Sequence, residues 1–331
     1  MKKKGIYFFV IVVFCFCNWS SLMAKIESQA TPVYKDPNKP VNERVEDLIS
    51  KMTIDEKIGQ LSSKFNYKNK PQPEDVLIGH IRNPATFCSE KGYLTASECA
   101  KVNNEVQKEF IEKSRLGIPA IVHDETLHGV CGCGYCTSYP QSIAMAATFD
   151  PDLYREVADA ISDEVKVLGI RQALSPVLNI SRDPRWGRVQ ETYGEDPYLS
   201  SAMGYQFVNT FEKKGVVATP KHFVATVGDG GRDSYAMYCS ERQLRELYFP
   251  PFETCVKKAG VRSLMVAYNS LNGVPCHSDA WLIETILRSE WGFSGIVVTD
   301  YEGIGGTWGR FNVATSHKLG ILESYKAGVD V

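Results

Sequence analysis

Apolar runs typical of buried β-strands alternate along this chain with segments whose apolar residues recur at helical spacing. The run PAIVH (119–123) precedes a helical pattern that begins at Asp150-Pro151 and ends at Gly169. Further strand-like runs lie at 170–180, 216–220, 263–269, 295–300 and 328–331, and helical patterns at 196–215, 279–290 and 313–327. Such alternation indicates a parallel sheet. No GxGxxG motif follows the early runs, so the pattern favours an α/β fold of the (β/α)8 TIM-like barrel type over a dinucleotide-binding sheet.

The composition fits an ordinary soluble globular protein, with 331 residues, 44% hydrophobic and 23% charged. The length suits one large α/β domain or two smaller ones. The formal net charge of −2 gives no electrostatic reason to expect nucleic acid or an anionic membrane surface as a partner.

The N-terminus has the three parts of an export signal. Lys2-Lys3-Lys4 precede an apolar run from Gly5 to Cys17, and small and polar residues follow up to Ala24. The alternative is an uncleaved anchor, but the apolar run is shorter than the ~20 residues of a membrane-spanning helix. We therefore predict a signal peptide over 1–24, a periplasmic or secreted protein, and membrane contact only during export. Residues 25–43, rich in Pro, Lys and Asn, are predicted to form an extended entry segment.

Cysteines are dense in the stretch Cys131-Gly-Cys-Gly-Tyr-Cys136. The stretch lacks the two separated CxxC pairs of a zinc site, so a disulfide or free thiols in a glycine-rich loop are favoured over a metal. The histidines are scattered without an HExxH-type pair. We expect neither a metal nor another cofactor.

Polar side chains follow most of the predicted strands. Each has a simple structural explanation on its own, as a helix cap, a solvated loop residue or one half of an ion pair. In a parallel barrel, however, the carboxyl ends of all strands meet at one mouth, where active sites lie. The candidates at these strand ends are Asp124, Glu125, Arg182, Lys221, His222, Tyr268 and Asp300.

These residue types match the needs of a sugar-binding site. Carboxylates, cations and a tyrosine bind several hydroxyl groups, and the nearby Trp186 and Trp308 offer aromatic faces. No GxSxG nucleophile elbow is present. A carboxylate at the mouth is also able to attack an anomeric carbon, as in retaining glycoside hydrolysis.

Several long motifs resemble the N-terminal catalytic barrel of glycoside hydrolase family 3. The resemblance runs from about residue 44 to residue 331 and implies one barrel domain over 44–331. The family consists mostly of retaining, exo-acting β-glucosidases and β-xylosidases, so the resemblance implies an oligosaccharide or β-glycoside as substrate. The motifs that carry it are 125–129 (ETLHG), 139–153, 175–199 (SPVLNISRDPRWGRVQETYGEDPYL), 221–223 (KHF), 265–278 (MVAYNSLNGVPCHS) and 292–301 (GFSGIVVTDY).

The resemblance also implies roles for individual residues. Asp300 matches the catalytic nucleophile, and Tyr268 matches a tyrosine beside it. Lys221, His222, Arg182 and Glu125 match residues that bind sugar hydroxyls, whereas Arg188 and Glu191 are interpreted as structural. We expect cations such as Lys221 and Arg182 to keep the pKa of Asp300 low, so that its carboxylate is ionised and able to attack.

The sequence departs from the family pattern at the general acid. Most members use a Glu on a second, C-terminal α/β domain, and some use an Asp-x-His pair in the loop after the KHF strand. That loop contains no histidine here, which leaves Asp229, Asp233 and Glu302 as local candidates. YKAGVDV (325–331) resembles the start of the family's eighth strand, so we expect a barrel incomplete at its last strand and a C-terminal α/β domain that is absent.

Three functions remain open on the sequence. The first is hydrolysis of terminal non-reducing β-D-glycosyl residues with retention, through a covalent glycosyl-enzyme on Asp300. The second is a truncated, non-catalytic carbohydrate-binding barrel without an acid/base residue. The third, an unrelated barrel enzyme that binds phosphate, is disfavoured by the length of the motifs. The choice between glucose and xylose, the acid/base residue, the disulfide pairing and the oligomeric state stay open.

Overall fold

The computed structural model describes residues 31–64, 77–87, 94–130, 136–226, 233 and 236–331. The predicted signal peptide, 1–24, lies outside them. None of the helices that the described residues form has both the length and the apolar character of a membrane span. The described residues up to Lys57 and those from Ile58 to Val331 form two separate compact units.

In the first unit, the entry segment folds back onto a helix. A 3₁₀ turn (Val33–Lys35) precedes helix α1 (Val41–Lys51). The backbone N–H of Tyr34 donates to Asp47 at 3.0 Å, and Arg44 donates to the carbonyl of Tyr34 at 3.1 Å. The predicted extended segment, 25–43, is therefore not extended throughout its described part. Helix α1 begins at Val41, before the end of the predicted segment, because the carbonyl of Pro40 accepts the first helical hydrogen bond, from Arg44.

Parallel strands in chain order build the second unit. The strands β1 (Ser63–Lys64), β2 (His80–Arg82), β3 (Ile121–Asp124), β4 (Gln172–Ala173) and β5 (Val217–Ala218) form one five-stranded sheet. Two more parallel strands, β6 (Ser263–Met265) and β9 (Ile296–Val298), pair with each other, and β7 (Ser270–Leu271) with β8 (Val274–Pro275) forms an antiparallel hairpin. Hydrogen bonds from Met265 to Pro220 (3.0 Å) and from Phe223 to Met265 (2.8 Å) continue the order from β5 to β6.

The end of the chain lies beside β9. Asp330 donates to the carbonyl of Val297 at 2.8 Å, and Thr299 donates to that of Val331 at 2.7 Å. The tip of the chain therefore occupies the place of the eighth strand that the sequence predicts. The α/β fold with parallel strands in chain order confirms the prediction of a TIM-like barrel.

From β2 onward, helices connect the successive parallel strands. In chain order, the remaining helices are α2 (Ile54–Gln60), α3 (Ala96–Lys113), α4 (Ser142–Ala146), α5 (Pro151–Val167), α6 (Pro197–Lys213), α7 (Glu241–Gln243), α8 (Pro250–Ala259), α9 (Gly305–Gly309) and α10 (His317–Lys326). Two π-helical segments, Leu244–Tyr248 and Trp281–Glu290, lie among them.

The predicted helix starts at Asp-Pro pairs are confirmed. Asp150 caps α5 by accepting from the backbone N–H groups of Asp152 and Leu153, and Asp196 caps α6 by accepting from Leu199. Helix α10 begins at His317, later than the predicted 313–327, because Ser316 caps it by accepting from Leu319.

Aromatic packing joins helices α5 and α6. The ring of Tyr154 stacks on Phe207 at 6.3 Å, and Phe207 stacks on Phe211 at 4.2 Å. All three side chains are buried. The contact aligns the two helices beside the strands they connect, and each fully buried aromatic side chain contributes about 1.5–3 kcal/mol through the removal of apolar surface from water.

A layer of polar side chains from neighbouring strands is joined by hydrogen bonds. The Gln172 amide donates to Thr219 at 3.2 Å and to Ser263 at 3.0 Å, and its oxygen lies 3.3 Å from Nδ1 of His80. Burial lowers the pKa of His80, and burial is also the main cause that lowers the pKa of His123 to about 3. Both histidines therefore stay neutral at physiological pH, so this layer is hydrogen-bonded without being charged.

The cap of α5 gives a stability prediction. We expect Asp150→Ala to lower the free energy of unfolding by about 1 kcal/mol, because two backbone N–H groups lose their acceptor. Denaturant unfolding followed by circular dichroism measures the change. Asp150→Ser, which keeps an acceptor oxygen, is the matched control and should stay close to wild type. Equal losses in both variants would contradict the capping role.

Candidate active site

Predicted site residues from three strand ends line one cavity of about 630 Å³, and residues from a fourth strand end contact them. Glu125 follows β3, Tyr268 follows β6, and Asp300 follows β9. All three line the cavity, while Lys221 and His222, which follow β5, contact Glu125 and Asp300 from behind. The structure thus brings together five of the residues that the sequence predicts: Glu125, Lys221, His222, Tyr268 and Asp300.

Asp300 is held at the end of β9 by its own turn. Its Oδ1 accepts the backbone N–H of Tyr301 at 2.7 Å, and its Oδ2 lies 3.4 Å from Nε2 of His222. The carboxylate is only 16% exposed. It therefore faces the cavity from a fixed and largely dry position.

Burial raises the pKa of Asp300 above its ordinary value. The charge of Lys221, the N–H of Tyr301, the charge of Arg188 and the hydroxyl of Tyr268 all act in the opposite direction, but burial outweighs them. The expectation of a low pKa is therefore wrong in its direction. The sequence showed the cations but not the depth of the carboxylate.

Lys221 and Glu125 form a close ion pair. The Lys221 side chain is 3% exposed, and its Nζ donates to both oxygens of Glu125 at 2.7 Å. Asp124, which is buried, accepts the backbone N–H of Glu125 at 2.8 Å and side-chain donors from Asn83 and Thr86 at 2.9 and 3.0 Å. Asp124 therefore fixes the backbone that carries Glu125 rather than facing the cavity.

The arginine at the cavity is Arg188, not Arg182. Arg188 lines the cavity and is 7% exposed. Its guanidinium donates to both oxygens of Glu191 at 2.9 and 2.8 Å and to Asp233 at 3.0 Å. Arg182 is exposed and is not among the residues that line the cavity. It lies near Tyr248 instead. Burial raises the pKa of Tyr248, and the charge of Arg182 lowers it. Two arginines occur in one short motif, and the sequence alone does not show which one faces inward.

Tyr268 connects the nucleophile candidate to the next turn. Its hydroxyl donates to the carbonyl of Tyr301 at 2.5 Å. Burial, and then the charge of Asp300, raise the pKa of Tyr268, so the phenol stays protonated and is able to donate. The tyrosine therefore lies beside the nucleophile candidate, where the sequence predicts it.

The two tryptophans differ in position. Trp186 is buried at 3% exposure and is not among the residues that line the cavity. Trp308 lines an adjoining cavity of about 980 Å³ together with Tyr301, Glu302 and Arg310. An aromatic face near the site is thus available from Trp308 and Tyr301.

Asn179 is a site residue that the sequence reasoning missed. It is 2% exposed, and its amide contacts the backbone and the ring of His222. It lies within SPVLNIS, at the start of the motif at 175–199, and nothing in that motif distinguishes a buried amide from a solvent-exposed one.

Within the described part of the chain, no group of His, Cys, Asp and Glu side chains is arranged to hold a metal ion. Cys131 and Cys133 lie outside the described residues, so the expectation for that stretch stays a prediction. Cys255 and Cys276 are buried free thiols, and burial raises the pKa of each thiol above its ordinary value.

The raised pKa of Asp300 gives a prediction with a definite sign. A carboxyl group with a higher pKa in the folded state stabilises the fold below its unfolded pKa of about 3.8, and this stability is lost as pH rises through the folded pKa. We therefore expect Asp300→Asn to melt at a higher temperature than wild type at pH 7, with the gain shrinking as pH falls towards 3.8.

The matched control is Asp183→Asn. Hydrogen bonds from Arg185 lower the pKa of Asp183 to about 2, so this substitution should lower the melting temperature at pH 7. Differential scanning calorimetry at several pH values separates the two cases. A lower melting temperature for Asp300→Asn at pH 7 would show that the cations outweigh burial.

Comparison with known proteins agrees with the resemblance of the motifs. The family model described as "Glycosyl hydrolase family 3 N terminal domain" matches residues 53–331. A β-xylosidase of Formosa agariphila is 39% identical over 241 residues, which cover 69% of this chain and 33% of that protein. A periplasmic β-glucosidase of Salmonella typhimurium is 33% identical over 294 residues, covering 87% and 37%.

Solved structures give the same result. A β-glucosidase from Erythrobacter marinus superposes with a TM-score of 0.81 at 29% identity and covers 92% of this chain and 42% of that one. A β-glucosidase from Listeria innocua, solved in complex with glucose, gives 0.76 at 27% identity, covering 87% and 41%. The chain thus spans less than half the length of each of these relatives. Since the family model matches most of the chain, the chain belongs to glycoside hydrolase family 3 through that family's N-terminal domain.

Proposed function

We propose that this chain binds the terminal sugar and supplies the nucleophile of a retaining exo-β-glycosidase. The reaction removes terminal non-reducing β-D-glycosyl residues from oligosaccharides or other β-glycosides. The observation that carries the proposal is the Asp300 carboxylate, buried at the end of β9 beside Lys221 and Arg188 and facing a cavity.

The proposed chemistry has two steps. An oxygen of Asp300 attacks the anomeric carbon while the bond to the leaving-group oxygen breaks and that oxygen takes up a proton. Water then attacks the same carbon, gives up a proton, and releases the sugar from Asp300 with its configuration retained. The raised pKa of Asp300 supports the proposal, because a partly desolvated carboxylate is more basic than one in water.

The surrounding charges suit a polyhydroxylated ligand. Lys221 lies behind the cavity and holds Glu125 through its charge, whereas Arg188 lines the cavity with a rigid fork that Glu191 and Asp233 hold in place. Glu125, 39% exposed at its side chain, supplies acceptor oxygens towards the cavity. We assign a β-D-glucosyl or β-D-xylosyl residue to this position, since named β-glucosidases and β-xylosidases are both among the relatives.

The two candidate functions differ in whether a general acid is present. Of the local candidates, Asp229 lies outside the described residues, Asp233 is held by Arg188, and Glu302 lines both cavities. Without a proton donor, the same geometry serves a non-catalytic carbohydrate-binding barrel. Aryl β-glycosides with good leaving groups need little acid assistance, so they test Asp300 without requiring the donor.

We also propose export to the periplasm or beyond through residues 1–24. The basic and apolar pattern of this segment supports it, as does the 33% identity with a protein named as a periplasmic β-glucosidase. We propose no nucleic-acid partner.

The nucleophile is tested by trapping. We expect a 2-fluoro-2-deoxy-β-glycoside with a good leaving group to add the mass of one sugar to wild-type protein, on the peptide that contains Asp300. Asp300→Asn should show no adduct and lose nearly all turnover of aryl glycosides, because the amide keeps the shape but does not attack. Asp183→Asn, at a surface ion pair, is the control that should still be labelled.

The outcomes separate the two functions. A labelled peptide elsewhere in the chain would refute Asp300 as nucleophile. Sugar binding in calorimetry with no adduct on wild-type protein would instead favour the carbohydrate-binding barrel.

A second pair of variants compares the two arginines. We expect Arg188→Ala to lower kcat/KM for an aryl glycoside by about tenfold or more, since a charged hydrogen bond is worth about 1.5–3 kcal/mol. Arg182→Ala should change kcat/KM by no more than about twofold, as expected for an exposed surface residue. Thermal melts of both variants check that each is folded. A larger loss for Arg182→Ala would restore the role that the motif resemblance implies.

A further inference from the structure

The turn after β9, from Asp300 to Gly303, carries the nucleophile candidate. The carbonyl of Asp300 accepts the N–H of Gly303 at 2.9 Å, which closes the turn. Glu302, at the third position of the turn, has a φ of 54°, in the left-handed region that is unfavourable for residues other than glycine. A residue keeps such a conformation when the contacts around it determine its backbone, so the turn depends on what packs against it.

Two side chains from the connection after β6 contact this turn. The hydroxyl of Tyr268 donates to the carbonyl of Tyr301 at 2.5 Å. His277, in the 3₁₀ turn Cys276–Ser278 that follows β8, places its imidazole against Gly303. A Cβ atom on Gly303 would clash with Nε2 of this ring and lie only 2.6 Å from its Cε1. Non-bonded carbon atoms pack at about 3.5–4.0 Å, so position 303 has no room for a side chain.

The imidazole of His277 is buried and uncharged. The residue is 1% exposed, and its Nε2 has no hydrogen-bond partner among the residues that the structure describes. Burial lowers the pKa of His277 to about 4, so the ring is neutral at pH 7. The ring therefore meets the turn through the shape of its edge, and not through a charge or a hydrogen bond at Nε2.

We propose that His277 is a positioning residue whose ring packs against Gly303 and, together with the hydroxyl of Tyr268, holds the turn that directs the Asp300 carboxylate into the cavity. Asp300 reacts with the sugar, whereas His277 acts only through the turn. This role in catalysis rests on the proposed function, but the contact between the ring and Gly303 does not.

The alternative is a histidine that only fills the core. Removing its ring would then lower the stability of the fold and leave the rate at which Asp300 attacks unchanged. The two roles differ in whether substitutions at positions 277 and 303 act together on that rate.

The first variant introduces the clash. In the full chain, we expect Gly303→Ala to slow labelling by the 2-fluoro-2-deoxy-β-glycoside about a hundredfold. The new methyl group forces the turn and the ring apart by about 1 Å, and a displacement of this size costs about a hundredfold in rate. At saturating reagent, mass spectrometry of the labelled protein over time measures the rate of attack separately from binding.

The second variant removes the ring that causes the clash. Adding His277→Ala to Gly303→Ala should recover at least about tenfold of the lost labelling rate, as expected for two residues in direct contact. His277→Ala alone should slow labelling less than Gly303→Ala does, because the turn loses support without being displaced. The matched control adds His80→Ala to Gly303→Ala. His80 is also a buried histidine, but it contacts Gln172 and should recover nothing.

Thermal melts test the contact without any substrate. The loss in melting temperature of the double variant His277→Ala with Gly303→Ala should be smaller than the sum of the losses in the two single variants. The reason is that the methyl group enters space that the ring has left. If Gly303→Ala does not fold, a folded double variant demonstrates the same coupling, and a double variant that also fails to fold would contradict it.

The remaining outcomes separate the two proposals. Additive losses in labelling rate and in melting temperature would overturn the positioning role, and so would wild-type labelling in His277→Ala. If the melting temperatures are coupled while wild-type protein takes up no sugar, the contact stands. In that case the proposed function fails, and the role of His277 in catalysis fails with it.

Discussion

Parallel pairing of the strands in chain order is the constraint on which the site depends. Each strand of a parallel sheet runs in the same direction, so the residues after β3, β5, β6 and β9 lie at the same mouth although they are far apart in sequence. Glu125 and Lys221 are separated by 96 positions and still form an ion pair at 2.7 Å. A shift in the register of one strand would separate such pairs, because successive side chains point to opposite faces of a sheet.

The site carries charge at some cost to stability. Lys221 and Arg188 lie largely out of water, and Asp300 is buried deeply enough for its pKa to rise although both cations lie near it. Carboxylate partners compensate the two cations: Glu125 pairs with Lys221, and Glu191 with Asp233 holds Arg188. A buried ion pair of this kind is weak evidence for stability, since desolvation offsets much of the attraction. The arrangement is better explained by what it does for a bound ligand than by what it does for the fold.

Neutral hydrogen-bonding side chains also lie among the strands that carry these charged residues. Gln172 connects β4 to residues on or next to β2, β5 and β6, and the buried His80 and His123 stay uncharged. Asn179 acts in the same way on His222, through bonds to both its backbone and its ring. Side-chain amides suit this role because each one both donates and accepts hydrogen bonds and does not ionise. Gln172 and Asn179 thus form hydrogen bonds with His80 and His222 without adding charge.

The sequence by itself determined the strand and helix order, the starts of α5 and α6, and the set of polar residues at the strand ends. These features depend on local patterns: the Asp-Pro pairs at Asp150 and Asp196 each supply a cap and a first helical residue, and strand-like runs that alternate with helical patterns favour a parallel sheet. Only the tertiary structure decided which arginine faces the cavity, in which direction the pKa of Asp300 moves, and that Asn179 contacts His222. Arg182 and Arg188 belong to one motif, and only the fold places the second against Glu191, Asp233 and the cavity. Burial and the distance between charges arise when distant segments pack together, so no local pattern in the chain encodes them.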